Sequence, residues 1–360
     1  MSPIKLRFVD IEACPLCGSK HSLEIDRGTD TLTVEINRYL PADNECLPTI
    51  MNARKACQDC GLLFLSPRLD DGSLSVLYDL WYRFAYRRIF DDEQHITDRM
   101  REFERYHLVH LQNAHPSPGS LLDIGCGNGL FLHLARRAGW SVLGIELDEE
   151  TARRGRERFG LEIRSGVMAD VITEQQQFDV ITMFDYLEHT TTPGADLDAA
   201  IRHLRPGGIM MIRVPNVNGW QARLMGVKWL ACISTHLAYF TSPVLVRALQ
   251  QRGMTTKWVS AGNYQTEWDL VQRQWRWCKR RLPRRSRSGQ MGQAPLSVPA
   301  PSGSLCSSIS RYLYSLLLEQ IDHVGGWFGF GNNLLVISHK AYHGSPQRDF
   351  LPSGETRFER

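Results

Sequence analysis

The sequence predicts an α/β protein built on a parallel sheet with helices on both faces. Three observations lead there. From Ser120 onward, short apolar runs alternate with longer amphipathic stretches. The first run leads directly into a turn carrying Gly125, Gly127 and Gly129. Val180-Ile181-Thr182-Met183 has the composition of a strand buried on both faces, which parallel sheets require.

Taken in order, Leu121–Gly125 reads as a strand and Leu130–Ala138 as a helix, with Leu130, Phe131, Leu134, Ala135 and Ala138 on its apolar side. Val142–Leu147 is a second strand, followed by a charged helix near Glu149–Phe159. Leu161–Arg164 and Phe178–Phe184 are the third and fourth strands. A helix over Asp196–Leu204 stops at Arg205-Pro-Gly-Gly208, and Ile209–Val214 is a fifth strand. Pro243–Gln251 is a helix and Thr255–Val259 a sixth strand. Asn333–His339, with Leu-Leu-Val-Ile-Ser, reads as a further strand.

The chain has 360 residues, enough for one full-size domain with appendages. A hydrophobic share of 42% and a charged share of 22% are those of a globular protein, and the net charge of +3 points to no particular partner. The expected organisation is a module with paired cysteines over 1–70, a helical linker or lid over 71–117, the sheet core over 118–262, a basic insertion with helices over 263–330, a terminal core strand over 331–343 and a tail over 344–360. His115-Pro-Ser-Pro-Gly119 marks the boundary before the core. The first residues lack the apolar centre of a signal peptide, and no apolar run is long enough to span a membrane, so a cytoplasmic location is expected.

The turn Asp123-Ile-Gly-Cys-Gly-Asn-Gly129 holds the sharpest signal. Glycines let the backbone bend tightly and approach a ligand, and the helix that follows offers free N–H groups. A dinucleotide fingerprint, G-x-G-x-x-G, would need glycine at position 130, which is Leu130. Glu146 ends the second strand, where its paired oxygens can accept both hydrogen bonds of a ribose diol. Asp148 is better placed to cap the next helix.

These pieces, together with Phe178-Asp-Val-Ile-Thr-Met-Phe-Asp-Tyr-Leu-Glu-His189, His203-Leu-Arg-Pro-Gly-Gly208 with Val214-Pro-Asn216, and His236-Leu-Ala-Tyr-Phe-Thr-Ser242, resemble class I S-adenosylmethionine (SAM)-dependent methyltransferases over residues 120–262. The likeness is strongest to the group that includes ubiquinone O-methyltransferases and sugar methyltransferases. It implies a Rossmann-like seven-stranded sheet with the last strand antiparallel, and it implies SAM as cofactor. Carried onto this chain, it puts Asp123, Gly125, Cys126, Gly127, Gly129, Glu146, Leu147, Asp170, Phe184 and Asp185 around the cofactor, with Asp170 near adenine.

Methyl transfer to a hydroxyl or carbon acid needs positioning and a base. His189 and His236 both follow strands at the carboxyl edge of the sheet, where such folds bind ligands. His236 is the favoured base, because residues 216–240 are expected to cover a small-molecule acceptor. An alternative is RNA methylation, although Phe184-Asp-Tyr-Leu lacks the Asn/Asp-Pro-Pro-aromatic pattern of base-amino methyltransferases. Another is a non-enzymatic protein that binds SAM or a nucleotide.

Cys14-Pro-Leu-Cys17 and Cys57-Gln-Asp-Cys60 have the spacing of two zinc knuckles that a β-hairpin must bring together. Thr31–Ile36 is read as a strand of that hairpin. The expected metal is a structural zinc on Cys14, Cys17, Cys57 and Cys60, as in the zinc-ribbon-like module that sugar C-methyltransferases carry before a similar core. Between residues 268 and 287, tryptophans interleave with arginines, a pattern compatible with contact to an anionic membrane surface or to nucleic acid.

Overall fold

The computed structural model describes residues 5–37, 40, 46–86, 93–262 and 331–341. The expectations for the insertion with helices over 263–330, including the basic stretch 268–287, and for the tail over 344–360 lie outside the described residues.

The N-terminal part runs through strands β1 (Phe8–Val9), β2 (Ser22–Thr29), β3 (Met51–Cys57), β4 (Leu63–Leu65) and β5 (Arg68–Leu69), with helix α1 (Leu32–Asn37) between β2 and β3. The segment read as a strand, Thr31–Ile36, is therefore largely helical. Asp30 explains the difference: its Oδ2 accepts the Thr33 N–H at 2.8 Å, capping a helix whose Leu32, Thr33 and Ile36 are buried. The hairpin that joins the knuckles is instead β2–β3, paired antiparallel from Ser22↔Cys57 to Thr29↔Met51.

Helix α2 (Asp71–Leu80) is capped by Asp70 and continues into a π-helical turn over Trp81–Tyr86. Helix α3 (Glu93–Glu102) likewise runs through a π-helical turn, Phe103–Leu108, into α4 (Val109–Ala114). The core follows as β6 (Ser120–Ile124), α5 (Leu130–Arg137), β7 (Ser141–Glu146), α6 (Glu149–Phe159), β8 (Ile163–Ser165), α7 (Met168–Val171), β9 (Phe178–Phe184), α8 (Pro193–His203) and β10 (Leu204–Pro215). Then come α9 (Trp220–Met225), β11 (Ala238–Tyr239), α10 (Ser242–Gln250), β12 (Met254–Gly262) and β13 (Asn333–Lys340).

Seven strands form one sheet in the order β12-β13-β10-β9-β6-β7-β8. Strands β6 to β10 run parallel, and β13 lies antiparallel to both β10 and β12, as a class I methyltransferase sheet requires. Apolar clusters fill both faces: Ile181, Met183, Met210 and Ile212 on one, Leu121, Val180, Ile209 and Met211 on the other. Parallel pairing puts Ile124, Glu146 and Phe184 at one sheet edge. No helix among the described residues is long and apolar enough to cross a membrane.

The N-terminal part is tied into this core. Strands β2, β3 and β4 form a second sheet whose fourth strand is β11, from the loop that carries His236. Cys14, Leu16, Cys57, Cys60 and Phe64 share an apolar cluster with the large sheet.

Candidate active site

The turn after β6 takes the shape its glycines allow. Gly125, Gly127 and Gly129 have φ of 74°, 55° and 76°, a region that costs other L-residues strain. A Cβ on Gly125 would stand 2.8 Å from Tyr186 Cδ2. Gly125 and Cys126 donate their N–H groups to the Ile145 carbonyl, which fastens the turn to β7.

Glu146 reaches back to the same turn. Its Oε2 accepts the Gly127 N–H at 2.9 Å and its Oε1 accepts the Asp148 N–H at 3.0 Å. Burial raises its pKa above the ordinary glutamate value. Asp148 caps α6 by accepting the Thr151 N–H at 2.8 Å. Asp123 is 3% exposed and accepts from Thr182 Oγ1 at 2.7 Å. Burial pushes the Asp123 pKa up to about 7, against the opposing hydrogen bond from Thr182. A cationic ligand group seated beside it would restore the carboxylate. The cradle without Cβ atoms, the paired acceptor Glu146 and the cation-seeking Asp123 therefore suit SAM's ribose and ammonium ends.

A cavity of about 1590 Å³ runs from this turn to the two histidines. Asp123, Gly125, Cys126, Gly127, Glu146, Leu147, Phe184 and Asp185 all line it. Leu147 is 69% exposed and sits at the rim. Gly129 caps α5 behind the wall. Asp170 is not on the wall: it is exposed on α7, and Gly166, Val167 and Met168 line the cavity in its place. The turn at Gly166, φ 131°, swings the chain so that the residues preceding Asp170 face inward.

At the far end, the rings of His189 and His236 meet edge to face, with centroids 4.6 Å apart. His189 Nδ1 lies 2.9 Å from the Thr235 carbonyl and 3.0 Å from Tyr78 Oη. His236 Nδ1 lies 2.8 Å from the Ala231 carbonyl. A carbonyl only accepts, so each Nδ1 carries the hydrogen and each Nε2 keeps its lone pair. Burial, then the neighbouring His189, pushes the His236 pKa down to about 3, and burial lowers that of His189 as well. Both rings are thus neutral near pH 7.

Sequence reasoning missed the residues that hold this end together. Asp30 Oδ1 accepts the Ser234 N–H at 2.7 Å, and the Leu65 N–H donates to the Leu237 carbonyl at 3.0 Å. Tyr78 closes the wall from α2. The contacts span long sequence separations and leave no local pattern. Glu188 is 2% exposed, and its Oε2 has no hydrogen-bond partner among the described residues. Glu188, His189 and His236 place their ligand atoms within 4.8 Å of one another, close enough to share a metal ion.

The four N-terminal cysteines converge as their spacing predicts. Cys14 and Cys60 sulfurs are 3.6 Å apart, as are those of Cys17 and Cys57, and all four lie within 4.8 Å. Gly18 and Gly61, at φ 76° and 81°, turn the chain after each pair. The 3.6 Å separations are far too long for disulfides. Four sulfurs at this spacing can ionise together only around a cation, so the set fits a tetrahedral metal.

A family model described as a methyltransferase domain matches residues 98–256. A probable S-adenosylmethionine-dependent methyltransferase of Mycolicibacterium smegmatis is 31% identical over 116 residues, 32% of this chain and 45% of that protein. A ubiquinone biosynthesis O-methyltransferase of Dinoroseobacter shibae is 33% identical over 158 residues, 40% of this chain and 63% of the other. The chain thus spans less than two thirds of the length of these relatives. A solved SAM-dependent methyltransferase from Archaeoglobus fulgidus is 15% identical, at a TM-score of 0.45 over 72% of this chain and 100% of that one; nothing about function follows from it. Residues 98–256 are thus similar to a methyltransferase domain.

Proposed function

We propose that this protein transfers a methyl group from SAM to a hydroxyl or activated carbon of a small-molecule acceptor. One observation carries the reading: a single cavity joins the Gly127–Glu146 cradle to the His189–His236 pair. SAM bound at the cradle would supply an already activated methyl group. Asp123 would receive its ammonium and Glu146 its ribose diol. Neutral His236, with Nδ1 committed to Ala231, offers Nε2 to take the acceptor's proton. His189 and Tyr78, joined at 3.0 Å, line the cavity beside it.

Cys14, Cys17, Cys57 and Cys60 would bind zinc in a closed structural role, leaving no open position for chemistry. Through β4 and β11 that module would brace the loop bearing His236. The Glu188 oxygen, without a partner among the described residues, favours a second reading, in which a divalent cation on Glu188, His189 and His236 lowers the acceptor's pKa. Turnover that survives EDTA would exclude it.

The test is an assay with methyl-labelled SAM on fractionated metabolites and on RNA. Label in a small-molecule pool is expected. Label confined to RNA would assign the chain to RNA methylation, and binding of SAM with no label in either pool would favour a non-enzymatic binding protein.

A further inference from the structure

Arg213 is a charge inside the apolar strand Ile209-Met-Met-Ile-Arg-Val214, and it is 1% exposed. Buried charges persist only when paired, and this one bridges three parts of the chain. Its Nε donates to Asp185 Oδ1 at 2.8 Å and its Nη2 donates to Asp185 Oδ2. Its Nη1 donates to Glu102 Oε1 at 2.8 Å and stands 3.1 Å from His107 Nε2. Phe103 and Phe184 lie against the guanidinium, with ring centroids 5.5 and 5.9 Å away.

The two acids belong to two segments, α3 and the turn after β9, that both reach the cavity. Glu102 ends α3, whose His95 and Arg99, with Phe103 just beyond, line the cavity, and Phe103 packs on Phe131 at the start of α5. Asp185 follows β9 at φ 54°, in direct sequence with Tyr186, which fills the space that a side chain on Gly125 would need. Asp185 holds a conformation that non-glycine residues rarely adopt, and a bidentate ion pair fixes it there. Arg99 reinforces the bridge, 3.0 Å from Glu102 and 3.8 Å from Asp185.

We infer that Arg213 is a positioning residue that clamps the segment 93–108 over the cofactor turn and sets Asp185 and Tyr186 against Gly125, so that cofactor retention depends on it. This rests on the methyltransferase reading of the cavity. Arg213 acts through Asp185 and Glu102, and its removal would open one side of the cradle.

The test uses the full chain, Arg213→Met, Arg213→Lys and Glu102→Gln, with S-adenosylhomocysteine (SAH) as the probe. Calorimetry should show affinity falling by about tenfold or more in Arg213→Met. Arg213→Lys should recover folding but only part of the affinity, because one ammonium cannot both form the fork to Asp185 and hold Glu102. Glu102→Gln cuts only the helix side, so amide exchange should accelerate across 93–108 while β6 and β7 stay protected. SAH affinity in Arg213→Met and Glu102→Gln equal to that of the wild type, or faster exchange spread evenly over β6 and β7, would overturn the assignment. Wild-type protein that fails to bind SAH would overturn the methyltransferase reading itself.

Discussion

Replacing Glu146 by Gln removes one carboxylate oxygen and almost no volume. Each oxygen of Glu146 accepts one backbone N–H, from Gly127 at 2.9 Å and from Asp148 at 3.0 Å. The amide group sets an NH2 against one of those donors, and it offers a ribose diol only one acceptor. A hydrogen bond to a charged group is worth about 1.5–3 kcal/mol. At about 1.4 kcal/mol per decade, SAH should bind roughly 10- to 150-fold more weakly. The pH dependence follows from the same burial. The folded pKa of Glu146 is raised, so the binding-competent carboxylate is lost as pH falls through that raised value. Wild-type affinity should therefore decline as pH is lowered, and the Gln variant should lose that part of the decline. Titration calorimetry at two pH values, with a melting curve to verify folding, measures both effects. A folded variant within about twofold of wild-type affinity would remove Glu146 from the diol contact.

Three further outcomes are expected. His236→Ala should cut turnover by roughly 100-fold or more while leaving SAH affinity nearly unchanged; wild-type turnover would exclude His236 as the base. Stability should fall as pH drops from 6.5 toward 3, because the unfolded His236 takes up a proton near its ordinary value while the folded one resists to about 3. His236→Gln should flatten that part of the pH–melting profile, and an unchanged slope would contradict a neutral buried ring. Stripping metal from the cysteine set, or Cys60→Ser, should lower the melting temperature and expose the β2–β3 hairpin to protease, whereas a metal-free chain melting like the untreated one would refute a structural ion.

The core was legible because its signals are local. Phe178–Phe184, apolar but for Asp179 and Thr182, is the strand its composition announces, and Glu149–Phe159 is a helix between Asp148 and Gly160 caps. The third strand starts later than its apolar pattern implies, because Leu161 packs behind the turn at Gly129 and leaves only Ile163–Ser165 in the ladder. Thr31–Ile36 looked extended from its β-branched residues, but the Asp30 cap and the buried Leu32 and Ile36 make it a helix.

At the site, glycine spacing and a strand-terminal acid pointed to the turn and to Glu146, which meet at 2.9 Å, since each is a short motif with a mechanism. Arg213 left one trace, a lone charge in a buried strand, whose partners 28 and 111 residues away no pattern reveals. The grip of Asp30 on Ser234 spans 204 residues and arises only when the N-terminal hairpin folds onto the core.

The central claim is that the Gly125–Gly129 turn and Glu146 hold SAM, and equilibrium dialysis of labelled SAM against the purified chain tests it most directly. The account predicts one bound molecule per chain, displaced by SAH and untouched by excess NAD. No retained label, or displacement by NAD as readily as by SAH, would contradict it.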